Sequence, residues 1–518
     1  MRLRSLLVPL AFLGPAVAPA AAQESCRTRV VPLDGAGELR RRGEELANGV
    51  RAELGALRST LVCRADSSRH RAVLGLVTPD VRVARSDGVP DTRADGALWA
   101  GRGSSTLVRA GVTFDWSVLH LAILPELWTS ENRPFDFLPG TDPARVSLSS
   151  PFYVDRNSLD LPSRMGRDRT TQITPGQSAV WLEAKSWAVG WSSSNLWWGS
   201  GVRDALFIGP NAGGIPRTFV RTTRPIQTRA GRLSAEYFFG YVTESRFFDR
   251  DPDNDKRSLS AAALTWSPSA SENVVVGIAR GVMRRSPDST ASTGRAIADA
   301  WLSASPEAVD KMVALFARVV LPRSGLRAFA ELARASPIVV RDLLTVPQEG
   351  LAYQVGVERL LRGRRAKWLL HVEAMNLEQG ISVTDRPSRD FYTGNATPQG
   401  WTQRGQLLGA GIGPGGQSQW VSADRIAARW SLGLYGERVR WNNDALYREY
   451  LPFPNRHDVT LTAGVRAGLR AIGYDAMLDA SWGRRINYLF QNNSYLPGYR
   501  TVDVRIPQLR LTLTPVAR

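Results

Sequence analysis

The sequence predicts a mainly β protein, a transmembrane antiparallel β-barrel that follows a small N-terminal α-helical unit. Three observations carry that reading. The chain opens on an export segment, its apolar period then changes from helical to two, and Trp and Tyr gather where the period-two runs end.

The export segment comes first. Arg2 and Arg4 form a short basic region, Leu6 to Leu13 an apolar stretch, and Ala20-Ala21-Ala22 a small-residue cleavage site before Gln23. Residues 1–22 are therefore expected to be a signal peptide. Beyond it no run of 18 or more apolar residues occurs, which excludes a helical membrane protein. Two cysteines, Cys26 and Cys63, allow one disulfide in an oxidising compartment, the alternative being two buried thiols.

Between Glu38 and Val62 apolar residues fall at Leu39, Leu46, Val50, Leu54, Leu57 and Leu61, one face of a helix or of two short ones. Residues 23–90 are assigned to this unit and a linker, and 91–518 to the barrel. In the barrel region Val108, Ala110, Val112 and Phe114 alternate with Arg109 and Thr113. The same alternation runs through Trp368 to Ala374, Val459 to Ala467 and Tyr474 to Trp482, giving each segment one apolar and one polar face. A soluble sandwich would also alternate. The length of the alternating region, tryptophans at strand ends (Trp99, Trp181, Trp187, Trp266, Trp430, Trp441) and long polar linkers such as 249–257 and 285–298 favour the membrane barrel. At roughly 10 residues per tilted strand plus turns, about 400 residues give about 16 to 18 strands.

The charge is lopsided. Lys and Arg number 66 against 48 Asp and Glu, a formal +18, and with Lys only at 185, 256, 311 and 367 the remaining 66 − 4 = 62 are Arg. Export makes nucleic acid an improbable partner. Arg109, Arg466 and Arg510 fall on polar strand faces, so a basic lumen is expected, suited to an acidic polymer.

Signals for catalysis are sparse. His70, His120, His371 and His457 stand apart, without paired ligand spacing, and no metal or cofactor is expected. His120 and His371 read as lumen-facing. Gly411 to Gly416 fits G-x-G-x-x-G, but Pro414 and the following Gln417-Ser418-Gln419-Trp420 read as a loop entering a strand, not a nucleotide fingerprint. More informative are segments that are aromatic, Asn- or Gly-rich and basic together: Asn195 to Gly201, Arg203, Gly209 to Arg217, Thr402 to Gln406, and Arg438 to Asp444. Sugar recognition needs flat apolar faces and planar amide or guanidinium groups. The candidate polysaccharide-binding residues are Asn195, Trp197, Trp198, Arg203, Asn211, Arg217, Arg404, Arg440, Trp441 and Asn442. The alternative is that these tryptophans are girdle residues and the asparagines shape turns.

These segments resemble the Wzi family of capsule-assembly outer-membrane proteins. The resemblance runs through Asp95 to Gly103, Asn132 to Phe135, Asp160 to Gly166, Asn195 to Gly201 with Asn211-Ala212, Leu315 to Arg318 through Leu321 to Gly325, Gly405 to Gly409 with Gly413 to Gly415, and Arg440 to Asp444. Ser200 departs from it, standing where Pro usually follows Trp-Trp-Gly. The resemblance implies an eighteen-stranded outer-membrane barrel with a periplasmic helical unit. It also implies a non-enzymatic lectin that assists assembly of capsular or extracellular polysaccharide and holds it at the cell surface. Its expected partners are that polymer, outer-membrane lipid and the polysaccharide export machinery, and the expected state is a monomer. Two other classes compete: an anion-favouring porin or transport channel, and a barrel-borne hydrolase.

Overall fold

The computed structural model describes residues 25–516 apart from 32, 34, 49–55, 67–71, 141–143, 154–156, 272, 287–308, 336–349, 380–388, 450–455 and 494–499. The expected signal peptide, Val50, Leu54, His70 and most of the 285–298 linker lie outside the described residues.

Alternation becomes a closed wall. Val504–Pro515 pairs with Val73–Ser86 and joins the two ends of the sheet, and all wall pairs are antiparallel. The wall contains 21 strand segments, but three crossings are each split in two, giving 21 − 3 = 18 strands. The splits are Leu119–Ile123 from Glu126–Ser130, Thr170–Thr174 from Ala179–Ala184, and Arg217–Thr222 from Ile226–Thr228. Each break contains a proline, Pro125, Pro175 or Pro225. Proline has no N–H to give to the ladder, so the sheet yields there.

The two faces of this wall are inverted relative to a soluble protein. Leu264, Val276, Ile278, Val355, Val372, Leu434, Leu461, Val465 and Leu478 are exposed on the outside. Arg109, Asp115, Glu126, Glu331, Glu358, His371, Glu373 and Asp424 are buried inside. This is the arrangement that a hydrocarbon surround demands.

Of the tryptophans read as girdle residues, Trp187, Trp266 and Trp430 face outward, and Trp116 and Trp368 join them. All five sit beside the tight turns at one end, such as Trp116 to Leu119 and Ile426 to Trp430, where a membrane interface would hold them. Trp99, Trp181 and Trp441 point inward instead. Trp181 lies on the lumenal parity of its strand and stacks on His120 at 5.1 Å, which corrects its assignment to the girdle.

Two boundaries also differ from the sequence reading. Val73–Ser86 was assigned to the linker but is a wall strand; a register shift between Val77 and Asp80 interrupts its alternation. The helix spans Gly35–Asn48 only. Leu57–Ser59 is extended and pairs with Leu196–Trp198, and Leu61–Asp66 pairs with Ser25–Val30, so leucines at helical spacing serve two kinds of element. Cys26 and Cys63 sit on that second pair, opposite Ala65 and Thr28, while their side chains lie outside the described residues.

The helix lies against the wall at the tight-turn end. Arg40 donates to the carbonyls of Ala427 and Ala428 at 2.8 and 3.0 Å. Glu45 pairs with Arg318 at 3.1 Å and Arg327 at 2.9 Å, and Arg42 with Glu358 at 2.5 Å. These groups are almost wholly removed from solvent, so each charge depends on its partner.

Two outcomes follow. Leu434→Arg places a guanidinium on the lipid face and is expected to cost about 2–4 kcal/mol in folding into vesicles; an unchanged folding titration would contradict the outward assignment. Glu45→Ala leaves Arg318 and Arg327 without their shared carboxylate and is expected to destabilise by about 3–5 kcal/mol, read as a lowered unfolding midpoint in detergent. No shift would mean that the helix is not held by this pair.

Candidate functional site

The lumen is crossed by two inward-folded segments. In the first, Trp198 stacks on Phe207 at 5.9 Å and contacts Phe238 of the wall at 5.3 Å. In the second, Trp401 packs on Phe207 at 5.4 Å and donates its indole N–H to the Phe207 carbonyl at 2.8 Å. Tyr392 ties the two together: its hydroxyl donates to the Leu206 carbonyl at 2.6 Å and accepts from the Ala410 N–H at 2.8 Å.

A loop buried in this way must satisfy its backbone from the wall. Glu331 accepts from the N–H groups of Gly201 and Leu206 at 2.6 and 3.0 Å, and Glu373 from those of Val202 and Arg203 at 3.2 Å each. Close approach also needs glycine. A Cβ at Gly201 would lie 2.1 Å from the Asp204 carbonyl, and one at Gly281 of the wall 2.5 Å from the Trp401 ring. Asp204 itself is buried and accepts from the Gly411 N–H at 3.0 Å. Burial pushes its carboxyl up to about 7, a rise only partly offset by the Gly411 N–H and by Arg203 and Arg93.

The same loop delivers Arg203 to an aromatic stack. Its guanidinium lies 3.8 Å from the centre of Trp420, which stacks on Tyr435 at 4.5 Å and 21°. Glu437 of the next strand receives both arms of Arg93 at 2.8 Å and approaches Arg203 at 3.9 Å. Arg93 also holds Asp91 and lies 5.4 Å from the Trp441 ring. Against the upward push of burial, Arg93 and Arg510 keep the Asp91 carboxyl well below the usual range.

Five candidates therefore gather on one side or connect to it. Arg203 and Trp441 meet through Arg93 and Glu437. Arg440 approaches Glu378 at 3.8 Å and donates to His457 at 2.9 Å. Asn442 accepts from the Tyr153 hydroxyl at 2.5 Å, and Asn211, buried, accepts from the Ala94 N–H next to Arg93.

The other five lie elsewhere. Asn195 is buried between Gln177 and the Ala212 carbonyl. Trp197 is covered by Arg58 at 4.3 Å, Trp198 is fully buried, and Arg217 donates to the carbonyls of Ser194 and Ile215. Arg404 is exposed, with its backbone in the left-handed region at φ 50°.

Arg93, Trp420, Tyr435 and Glu437 were not among the sequence candidates. The available signal was alternation: Trp420 shares strand parity with Ser418 and Ser422, and Tyr435 with Glu437. The glycine run at 411–416 is a turn leading into the strand Gln417–Ile426, as its sequence suggested.

His120 and His371 face the lumen, bonded to Asp115 at 2.8 Å and Glu373 at 3.1 Å. The expectation of a freely basic lumen needs correction. Arg109 pairs with Glu126, Arg466 with Asp424, Arg485 with Asp458 and Arg510 with Asp95, so these interior guanidinium charges are compensated.

No protein-family model matches the chain, and no curated protein matches it by sequence. Among solved structures it is similar to Wzi of Escherichia coli, described as an outer-membrane protein involved in group 1 capsule assembly and a carbohydrate-binding β-barrel. The TM-score is 0.55 at 10% identity, covering 85% of each chain. It is also similar to two Pseudomonas aeruginosa proteins. OccK2 gives a TM-score of 0.41 at 8% identity, covering 86% of this chain and 98% of that one. OprD gives 0.40 at 8% identity, covering 87% and 97%. The likeness to Wzi establishes the fold, a closed eighteen-stranded outer-membrane β-barrel.

The Asp204 carboxyl sets a pH dependence. Between the ordinary aspartate pKa of about 3.9 and its native value of about 7, the folded chain holds a proton that the unfolded chain has lost. Its contribution to stability therefore falls as pH rises through that window and is level above it. Asp204→Asn is expected to flatten the decline in unfolding midpoint across this window. An unchanged slope would show that Asp204 ionises freely.

Proposed function

We propose that this outer-membrane barrel is a Wzi-like lectin that binds an acidic capsular or extracellular polysaccharide and assists its assembly and attachment at the cell surface. It acts as a binding protein, not an enzyme, as a monomer embedded in outer-membrane lipid beside the polysaccharide export machinery. The observation that carries this reading is the combination of a packed lumen with a guanidinium and aromatic stack, Arg203 on Trp420 on Tyr435, next to Trp441 and Asn442. Aromatic faces offer apolar contact to sugar rings, while Arg and Asn offer paired hydrogen bonds. The accessible members of the candidate set, Arg203, Arg404, Arg440, Trp441 and Asn442, make the polymer contact. The buried members Asn195, Trp197, Trp198, Asn211 and Arg217 hold the loops that present them. A bridge between Cys26 and Cys63 would secure the N-terminal strand pair.

The porin alternative draws on the +18 excess. The compensated interior charges and the aromatic packing across the lumen weigh against it.

Purified protein is expected to retain polygalacturonate better than neutral dextran, with retention weakened as salt rises from 50 to about 500 mM. Arg203→Ala is expected to weaken it roughly 3- to 10-fold. Equal retention of both polymers would contradict the charge argument. In planar bilayers the wild type is expected to lack a large anion-selective conductance, and such a conductance would favour the channel.

A further inference from the structure

One side of the barrel wall is cut low. Trp187–Ser192 has only six residues, against 13 or 14 in wall strands such as Gly231–Thr243 and Gly103–Trp116, and it pairs with Ala179–Ala184, one half of a crossing broken at Pro175. Above it, Thr170–Thr174 pairs with Glu126–Ser130 along one edge and with no described strand along the other. Across the gap, Gly231–Thr243 runs past the end of Arg217–Thr222, whose register with it stops at Gly240. Its tip is met by a loop, since Thr243 donates its N–H to Gln403 and accepts from the Arg404 N–H, both at 2.8 Å.

Between these two edges lies a cleft of about 270 Å³, lined by Gln172 and Thr174 on one side and by the loops at 244–247 and 403–406 on the other. That is near the small end of ordinary ligand pockets, about 300 Å³. Trp99, Trp128 and Phe247 supply its aromatic lining. Trp128 and Thr174 are both buried. Both belong to the lumenal face of adjacent strands, where Glu126 opposes Thr174 and Trp128 opposes Gln172.

The charges around the cleft specify its kind. Arg246 and Arg404 are exposed, line the cleft and have no carboxylate partner among the described residues, unlike the paired arginines of the lumen. The two carboxylates that line it are engaged elsewhere. Glu126 pairs with Arg109 and accepts from Gln177, and Glu244 accepts from Gln399 and the Asp249 N–H. Indole faces suit the C–H face of a sugar ring. A guanidinium fork suits a carboxylate.

We propose that this lateral cleft holds one uronic-acid unit of an acidic glycan, its ring against the aromatic lining of Trp99 and Trp128 and its carboxylate on Arg246 and Arg404. The assignment rests on the polysaccharide-binding reading above, in which Arg404 already makes a contact, and gives Arg404 a built site apart from the Arg203 stack.

The test is calorimetric titration of the full-length protein in detergent with trigalacturonate, with maltotriose as the neutral comparator and with lipopolysaccharide micelles. Trp128→Phe trims the indole face to a single ring, and Arg246→Gln and Arg404→Gln each remove a charge at an exposed position. Arg246→Gln and Arg404→Gln are each expected to weaken trigalacturonate binding about tenfold with an unchanged unfolding midpoint, and Trp128→Phe to weaken it with a lowered one. If Trp128→Phe does not fold, the two arginine variants decide. Wild-type binding that all three variants retain would overturn the cleft and leave the polysaccharide reading standing on another site. A wild type that binds neither trigalacturonate nor polygalacturonate would remove that reading and the cleft with it. A response to lipopolysaccharide without one to trigalacturonate would move the acidic sugar to the membrane's own glycolipid and overturn the polymer assignment.

Discussion

The rest of the structure depends on one constraint: a wall that faces hydrocarbon must turn its polar side chains inward. In this chain the inward face carries arginines, aspartates and glutamates in quantity, and none can be left uncompensated at low dielectric. The lumen is consequently organised by carboxylate and guanidinium pairs, from Arg109 with Glu126 to Arg485 with Asp458. Water could have solvated these groups in an open channel. Here protein does so instead, through the N-terminal helix at the tight-turn end and the loop segments that pack across the interior.

The same carboxylates set the position of the functional loops. Glu331 and Glu373 take the backbone N–H groups of Gly201, Val202, Arg203 and Leu206 and so fix where Arg203 leaves the loop. From there its guanidinium reaches Trp420, and Glu437 couples it to Arg93 and Trp441. Wall chemistry, loop placement and the candidate contact surface are thus one continuous network. The cleft beside Thr170–Thr174 arises from a different cause, the shortness of one wall strand.

Much of the wall was legible because side-chain parity in a strand is a local property. Leu461 and Val465 face out, and Asp458 and Thr460 face in, as their alternation implies. Trp99 and Trp181 were misread because a tryptophan near a strand end suits either face until parity is fixed. Leu57 and Leu61 fit a helical spacing by coincidence, and strand pairing with Leu196–Trp198 and with Ser25–Val30 decided otherwise. The charge pairing was least legible of all. Arg93 and Glu437 are 344 residues apart, and no local pattern announces that they meet. For the same reason a count of 62 arginines could suggest a basic lumen while giving no sign of its compensation.

The central claim is that the barrel retains an acidic polymer at the cell surface without conducting it. Deleting the gene and measuring polymer on cells and in the medium tests this most directly. The account predicts unchanged total polymer with the cell-bound fraction shifted into the medium, restored by the wild-type gene. Normal surface retention in the deletion strain would contradict it.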